Sequence, residues 1–516
     1  MRASVGFGLS VLVLSGVACS EKPDGTVGDS GRGGSGASGG TSGGAGMGSG
    51  GAGRAALGGS AGNMPSAGMA GLAGAAPAGG AGSGGSAGSP PLAGNGGSAG
   101  ASNPAGGVGA GGAAGGGMSG TGPSAGSGGA AGEPSKYGAK YPFPQNLRAA
   151  NCSYPTMLDS SKVRDAYDAW KMEIVTSNGA GGHLRTQRPN SPGAETNSTV
   201  SEGIAYGMLI AVFMDDRDLF DELWKYEQLW VNGNGLMDWY INAAGTSRLG
   251  TGGATDADED MAWALVMADR QWGGKGTLDK PYLDHAKTLI KAIWDHEIDH
   301  QNKDFLLAGD SWQGNLIFNA SYFAPNEYRV FGEVTGDTAG WGRVIDTGYT
   351  ILAKSLNAQS KNADNGLVPA WCDANGAPKS PDNGGATNYQ YDSARIPFRI
   401  GLDYCWSGES RAKDYLAKVS QFFAGVGASK IVDGYDLDGK PHPDPDSDPN
   451  GPQSAVFVGS AAVGAMHDAT FQSFVSDAYG LVATGDLLAR SRYYNHSWTT
   501  LTLGMLTGVM AEYPAQ

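Results

Sequence analysis

The sequence predicts an all-α fold, and three observations carry that reading. Apolar residues recur at i, i+3, i+4 and i+7 in about a dozen segments; no stretch alternates apolar and polar residues convincingly enough for a strand; and glycine closes many of the segments. The segments are Lys162–Val175, Gly203–Met214, Asp218–Val231, Asp256–Trp272, Tyr282–Ile298, Asn326–Thr335, Trp341–Leu356, Asp392–Trp406, Ser410–Ala424, Gln453–Met466, Phe471–Val482 and His496–Met510. Thr335-Gly336-Asp337 and Trp406-Ser407-Gly408 are typical of the endings, because glycine takes the left-handed conformation that stops a helix without a steric penalty. A dozen helices in one domain fit helical hairpins closed into a ring. Periodicity alone would equally allow an open solenoid, although no fixed repeat supports one.

The elements before the first helix have another character. Residues 1–19 carry one basic residue, Arg2, an apolar run from Val5 to Val17, and then Ala18-Cys19-Ser20, the pattern of a secretory signal ending at a lipoprotein cysteine. Gly16 stands where such signals usually carry leucine, so ordinary cleavage near Cys19 is the alternative. The run is too short and too interrupted for a membrane span. Residues 20–136 are nearly all Gly, Ala and Ser, with no aromatic residue between Lys22 and Gly132. Such a segment cannot bury enough apolar surface to offset its ordering entropy, and is expected to be a disordered tether with a reach of about 55–65 Å. Residues 137–516 are then the folded domain. The expected place is outside the cytoplasm, secreted or held at the cell surface (the outer membrane) by a lipid on Cys19, that lipid being the only membrane contact.

Four cysteines occur, at 19, 152, 372 and 405. With Cys19 lipidated or removed, at most one intramolecular bridge forms and one thiol is left over; buried reduced cysteines are the alternative. Two metal-like patterns compete for attention. His296-Glu297-Ile298-Asp299-His300 matches H-E-x-x-H, in which histidines one helical turn apart bind zinc, but it falls at a predicted helix end with no third ligand in view. Asp444-Pro-Asp446-Ser-Asp448-Pro-Asn450-Gly451 sets oxygen donors at alternate positions but lacks the glycine and the glutamate of a calcium loop. A structural calcium ion there stays open; neither pattern is assigned a catalytic ion, and no cofactor is expected.

The densest chemistry lies in Ala254–Trp272. Asp256, Asp258, Glu259 and Asp260 crowd one turn behind Thr255, a candidate cap, and Met261, Ala264, Leu265, Ala268 and Trp272 then form an apolar stripe. A solvated acidic first turn favoured by the helix dipole would explain this without any function. The run nevertheless resembles the signature of glycoside hydrolase family 8, the bacterial endoglucanase, chitosanase, lichenase and xylanase group. Thr199-Val200-Ser201-Glu202-Gly203, followed by Tyr206-Gly207, resembles a second segment of that family, and Asn388-Tyr389-Gln390-Tyr391-Asp392-Ser393-Ala394-Arg395 a third, in the family's order. The resemblance implies an (α/α)6 barrel with a cleft across one end, and inversion at the anomeric carbon. By position it implies Glu202 as general acid, Asp256 as the aspartate that holds the sugar on the non-reducing side of the scissile bond, and Asp392 as base, with Tyr391 and Arg395 beside it. The chemistry requires this division: a proton must reach the leaving oxygen while a water is activated on the opposite ring face, across a carboxyl separation of about 6.5–9.5 Å. Glu202 should be protonated at working pH, whereas Asp392 should stay ionised, helped by Arg395 if it turns inward.

Aromatic residues supply platforms for the C–H faces of sugars. Trp239, Trp312, Tyr322 and Tyr494 fall in predicted loops or helix starts and match cleft positions of the family, whereas Trp170, Trp224, Trp230, Trp263, Trp294 and Trp341 lie in helical stripes, where packing explains them. The expected partner is a β-linked polysaccharide, β-1,4-glucan of cellulose or mixed-linkage type, cut internally; the Thr-Asp-Ala-Asp-Glu-Asp form of the central motif resembles the glucanase branch. Chitosan and xylan are the rivals within the same chemistry, and a carbohydrate-binding protein without catalysis or a zinc peptidase are rivals of other classes. The net charge of −15 and the lack of a basic stripe argue against nucleic acid. The domain is expected to act as a monomer.

Overall fold

A computed structural model of the chain describes residues 135–189, 191, 194–381, 387–444, 452–488 and 492–515. The signal and tether expected in the first 134 residues lie outside this set, as does the acidic run from Pro445 to Gly451. Within it, twelve helices of 11 to 18 residues and one four-residue helical turn follow one another: α1 Ser161–Ile174, α2 Ser201–Phe213, α3 Arg217–Gln228, α4 Thr255–Trp272, α5 Tyr282–His296, α6 Pro325–Thr335, α7 Thr338–Ser355, α8 Tyr391–Ala394 (the single turn), α9 Ile396–Ser407, α10 Ser410–Val426, α11 Ala455–Ala465, α12 Gln472–Val482 and α13 Arg492–Thr507.

Six of these close a ring. α2 packs on α4, α4 on α6, α6 on α9, α9 on α11, α11 on α13, and α13 back on α2. An outer helix covers each: α3 packs on α2, α5 on α4, α7 on α6, α10 on α9 and α11, α12 on α11 and α13, and α1 on α13. The sequence dictates the division. α2 and α11 are buried at every residue and are mostly Ala, Gly, Val, Ile and Leu, so they can be covered on all sides. α1 buries only Val163, Tyr167, Trp170 and Ile174, one stripe at i, i+4, i+7 and i+11, and turns the rest to solvent. The closed ring of double-layered helices settles the choice left open by periodicity: the architecture is an (α/α)6 barrel.

Local differences from the sequence reading have physical causes. The predicted helix Asp392–Trp406 is broken at Arg395, because Pro397 has no N–H and sits in the first turn of α9. Thr255 does not cap α4; Ala254 holds the cap position, and the Thr255 hydroxyl donates instead to the Leu307 carbonyl, 2.8 Å. Short antiparallel ladders, unseen in the sequence, pin the loops: Thr199–Val200, Tyr240–Ile241 and Arg248–Gly250 form one, and Ile317–Asn319 pairs with Trp371–Asp373. They are two or three residues long, too short to produce a period-2 pattern. Of the cysteines, Cys152 and Cys405 form a disulfide and Cys372 is a buried thiol.

Candidate active site

The N-terminal ends of the inner helices meet at one end of the barrel, and side chains from all six are joined there. Glu202 lies in the first turn of α2, Asp256 in that of α4, and Arg395 caps α9; Ser321 and Tyr322 precede α6, and Tyr493 opens α13. Asn495 of α13 accepts from the Ser454 hydroxyl and the Ala455 N–H at the head of α11, 2.6 and 2.9 Å. Unpaired N–H groups at a helix start carry partial positive charge, so the barrel gathers six such ends around its carboxylates.

Arg395 is the hub. Its Nη1 donates to Glu202 Oε2 at 2.8 Å, to Asp256 Oδ2 at 2.6 Å and to the Tyr206 hydroxyl at 3.0 Å, while its Nε donates to Ser321 Oγ at 3.0 Å. Its Nη2 stands 3.7 Å from Asp392 Oδ1, and Tyr322 lies under the guanidinium at 5.3 Å. The three carboxylates predicted from separate motifs therefore converge on one buried arginine. The other Glu202 oxygen accepts from the Tyr493 hydroxyl, 2.7 Å. Gly203 makes room for that tyrosine: a Cβ there would stand 3.0 Å from the Tyr493 ring and 2.7 Å from Thr186 Oγ1.

The electrostatics differ among the three. Burial pushes Glu202 up to about 8; Arg395 opposes this and Asp256 reinforces it. Burial also raises Asp256 and Asp392, in each case against Arg395, and for Asp392 against hydrogen bonds from Gln390 and Trp371 as well. Arg395 does turn inward, meeting the condition set for its help to Asp392, yet the net shift of Asp392 is upward because burial exceeds that help. Asp392 Oδ2 accepts from Trp371 Nε1 and from Gln390 Nε2, both 3.2 Å, and Gln390 Oε1 returns a bond from the Asp392 N–H, 3.0 Å.

Below this layer lies a second. Asp260 follows Asp256 by one turn of α4, and Arg399 follows Arg395 by one turn of α9, so the charge pairing repeats at i+4 on both helices. Arg399 Nη2 donates to Asp260 Oδ2 at 2.9 Å and Nη1 to Glu327 Oε1 at 2.7 Å. Asp258 and Glu297 face each other with no cation beside them among the described residues, and burial raises both well above the carboxylate range; Glu259 accepts from the Tyr328 hydroxyl, 2.7 Å. All four acids of the α4 first turn and its continuation are at most 1% exposed. The alternative of a solvated acidic turn is thereby overturned.

The predicted aromatic positions lie around this centre with unequal access. Trp312 is half-buried and stacks on Trp371 at 5.7 Å with the planes 11° apart. Its turn is placed by Asp310, whose carboxylate accepts from the Gly253 N–H and from the amides of Asn232 and Asn234. Trp239 is buried, stacked on Tyr240, and its carbonyl accepts from the Ser201 N–H at the start of α2. Tyr322 meets the Trp371 edge, Tyr391 donates to Asp433 at 3.0 Å, and Tyr494 packs among Tyr206, Tyr391 and Trp498. Trp371, Tyr493 and Asp310 were missed as site residues. Trp371 had the signal used for the others, a tryptophan between predicted helices; Tyr493 had none, its neighbour Tyr494 having taken the assignment.

The H-E-x-x-H pattern does not form a helical histidine pair. α5 ends at His296, Glu297 is buried against Asp258, and Ile298–Asp299 is a strand. His300 sits in the following turn, its Nδ1 on Asp304 Oδ1 at 2.6 Å and its Nε2 on the Trp294 carbonyl at 2.9 Å. Among the described residues no three His, Cys, Asp or Glu side chains are arranged to hold a metal ion.

A helical barrel with buried carboxylates gathered at one end, beside stacked tryptophans, defines a class of enzymes that cut glycosidic bonds. The profile of the family described as glycosyl hydrolases family 8 matches residues 141–508, and the chain belongs to that family; it is a glycoside hydrolase. Endoglucanase A of Acetivibrio thermocellus is 38% identical over 376 residues, 72% of this chain and 73% of that one. Endoglucanase C of Ruminiclostridium cellulolyticum is 38% identical over 333 residues, 63% and 67% of the two chains. Among solved structures, the apo beta-1,3-1,4-glucanase from Paenibacillus sp. X4 superposes with a TM-score of 0.64 at 27% identity, over 73% of this chain and 99% of that one.

Proposed function

We propose that the protein is an inverting endo-β-glucanase acting on β-1,4-linked glucan, cellulose-like or mixed-linkage. The relatives named above, two endoglucanases and a beta-1,3-1,4-glucanase, support the substrate class. The observation that carries the mechanism is the single guanidinium shared by Glu202, Asp256 and Asp392 in a site where Glu202 is raised to about 8. At neutral pH Glu202 then holds a proton that it can give to the glycosidic oxygen. Asp256 binds the sugar on the non-reducing side. Asp392 takes a proton from water as the water oxygen bonds to C1; the C1–O bond breaks, and its electron pair leaves on the oxygen that receives the Glu202 proton. Trp312, which is only half-buried, supplies a platform for a neighbouring sugar.

Single displacement predicts that a β-linked chain yields an α-anomeric new reducing end. Proton NMR of the anomeric signals in the first minutes of mixed-linkage glucan hydrolysis tests this; a β-anomer appearing first overturns the role given to Asp392. Products compared on cellulose, lichenan, xylan and chitosan test the substrate. The signal-like start and the Gly/Ala/Ser-rich stretch that follows support placing the enzyme outside the cytoplasm on a tether lipidated at Cys19. Loss of membrane-fraction activity in Cys19→Ala is the expected result.

A further inference from the structure

We propose that Trp371 is a positioning residue for the base, selecting which oxygen of Asp392 accepts the water proton; the inference rests on the assignment of Asp392 as base. The two oxygens of Asp392 are not equivalent. Oδ2 accepts two hydrogen bonds, from the Trp371 indole and the Gln390 amide. Oδ1 accepts none of ordinary geometry from the described residues; Arg395 Nη2 stands 3.7 Å from it, and the Asn319 amide also favours the carboxylate. A proton must go to a lone pair that is not already engaged, so Oδ1 is the basic atom and Oδ2 the anchor.

The indole suits this task. It donates and cannot accept, so it bonds the carboxylate more strongly than the protonated acid and favours the ionised form. Its ring is also fixed on several sides. Trp371 lies in the ladder with Asn319, Trp312 stacks over it, and Tyr322 meets its edge. Gln390 acts alongside through both ends of its amide, which also accepts from the Asp392 N–H. Burial works against the ionised form of Asp392, and Arg395, the first group to oppose it, is shared with two other acids. The Trp371 hydrogen bond thus favours the ionised base and aims it.

Trp371→Phe keeps an aromatic ring and removes the N–H. Losing a donor to the carboxylate raises the Asp392 pKa, so the acidic limb of kcat against pH should move up by about one pH unit, with KM for a glucan oligosaccharide changed less than about twofold. Trp312→Ala, which removes a platform and leaves the N–H, should raise KM and leave that limb in place. An acidic limb that stays put in Trp371→Phe, or that moves only in Trp312→Ala, overturns the inference. Should Trp371→Phe fail to fold by its near-ultraviolet circular dichroism and melting curve, Gln390→Leu removes the other Oδ2 donor, and an unmoved limb there overturns the inference equally. Asp392→Asn is the reference. Its inactivity leaves the reading of the limb intact, whereas near-normal turnover in it overturns the proposed base and not the indole's hydrogen bond.

Discussion

Glu202 is pulled in two directions, and the balance sets its use. Arg395 at 2.8 Å and the Tyr493 hydroxyl at 2.7 Å both favour its anion, while complete burial and the neighbouring Asp256 favour the acid. Burial wins, and the group is placed at about 8. Because the pKa is raised, the proton is present below that value and lost above it. The alkaline limb of kcat/KM against pH should therefore fall near pH 8 and disappear from the residual activity of Glu202→Gln. That variant keeps the side-chain shape and has no proton to give, so turnover on an unactivated β-glucan should drop by about 10²–10⁴-fold while oligosaccharide binding persists. Calorimetric titration with a cello-oligosaccharide, beside a rate assay, checks both halves. Near-normal turnover would remove Glu202 from the mechanism.

At the scale of elements, α4 and α9 bear most of the site, and they differ in how much of it the sequence discloses. In α4 four acids precede an apolar stripe, and the pattern shows a helix with an unusual mouth; it does not show that the mouth is buried, because burial comes from α2, α5 and α6 packing around it. In α9 the break at Arg395 follows from Pro397 and is readable in hindsight from that residue alone. The pairing of Arg399 with Asp260 and Glu327 is tertiary and left no local trace. Trp371 and Tyr493 were lost for the same reason, since each gains its meaning only from a carboxylate far away in sequence. The disulfide is similar: three cysteines allowed one bridge, and the fold chose Cys152–Cys405, 253 residues apart. Closing so long a loop stabilises by roughly 5.5 kcal/mol in the chain-entropy account. Cys405 lies near the C-terminal end of α9, about 15 Å along the helix from Arg395. Cys152→Ser should lower the melting temperature by several degrees and leave kcat at 25 °C within about twofold. A variant with an unchanged melting curve but reduced kcat would reverse this division of labour.

For the molecule as a whole, the consequence of gathering acids at helix starts is a store of protons. Glu202, Asp256, Asp258, Glu259, Asp260, Glu297, Glu327 and Asp392 are all buried, and among the described residues Arg395 and Arg399 are the two arginines that pair with members of this set. Eight anions beside two cations would leave buried charge unpaired, at several kcal/mol for each, so the folded state keeps protons on part of the set at neutral pH. Glu227, also buried and bonded by Gln228, is raised to about 8, and Glu512 to about 7. In the unfolded chain the same groups ionise near 4 to 4.5. Between about pH 4.5 and pH 8 the folded state thus binds more protons than the unfolded, and stability must fall as pH rises, each unit of displacement on one group being worth about 1.4 kcal/mol. Glu409, drawn down to about 2 by Arg411, acts in the opposite sense: its contribution is present above about pH 4.5 and lost as pH falls toward 2. The two sets together place maximal stability on the mildly acidic side. Melting temperatures across pH 4 to 9 at constant ionic strength should peak near pH 5 and decline by several degrees toward pH 8, and Glu227→Gln, which needs no proton to stay neutral, should flatten part of the decline. A melting temperature that rises steadily from pH 5 to pH 8 would mean that the buried carboxyls are ionised in the folded protein, and with them Glu202.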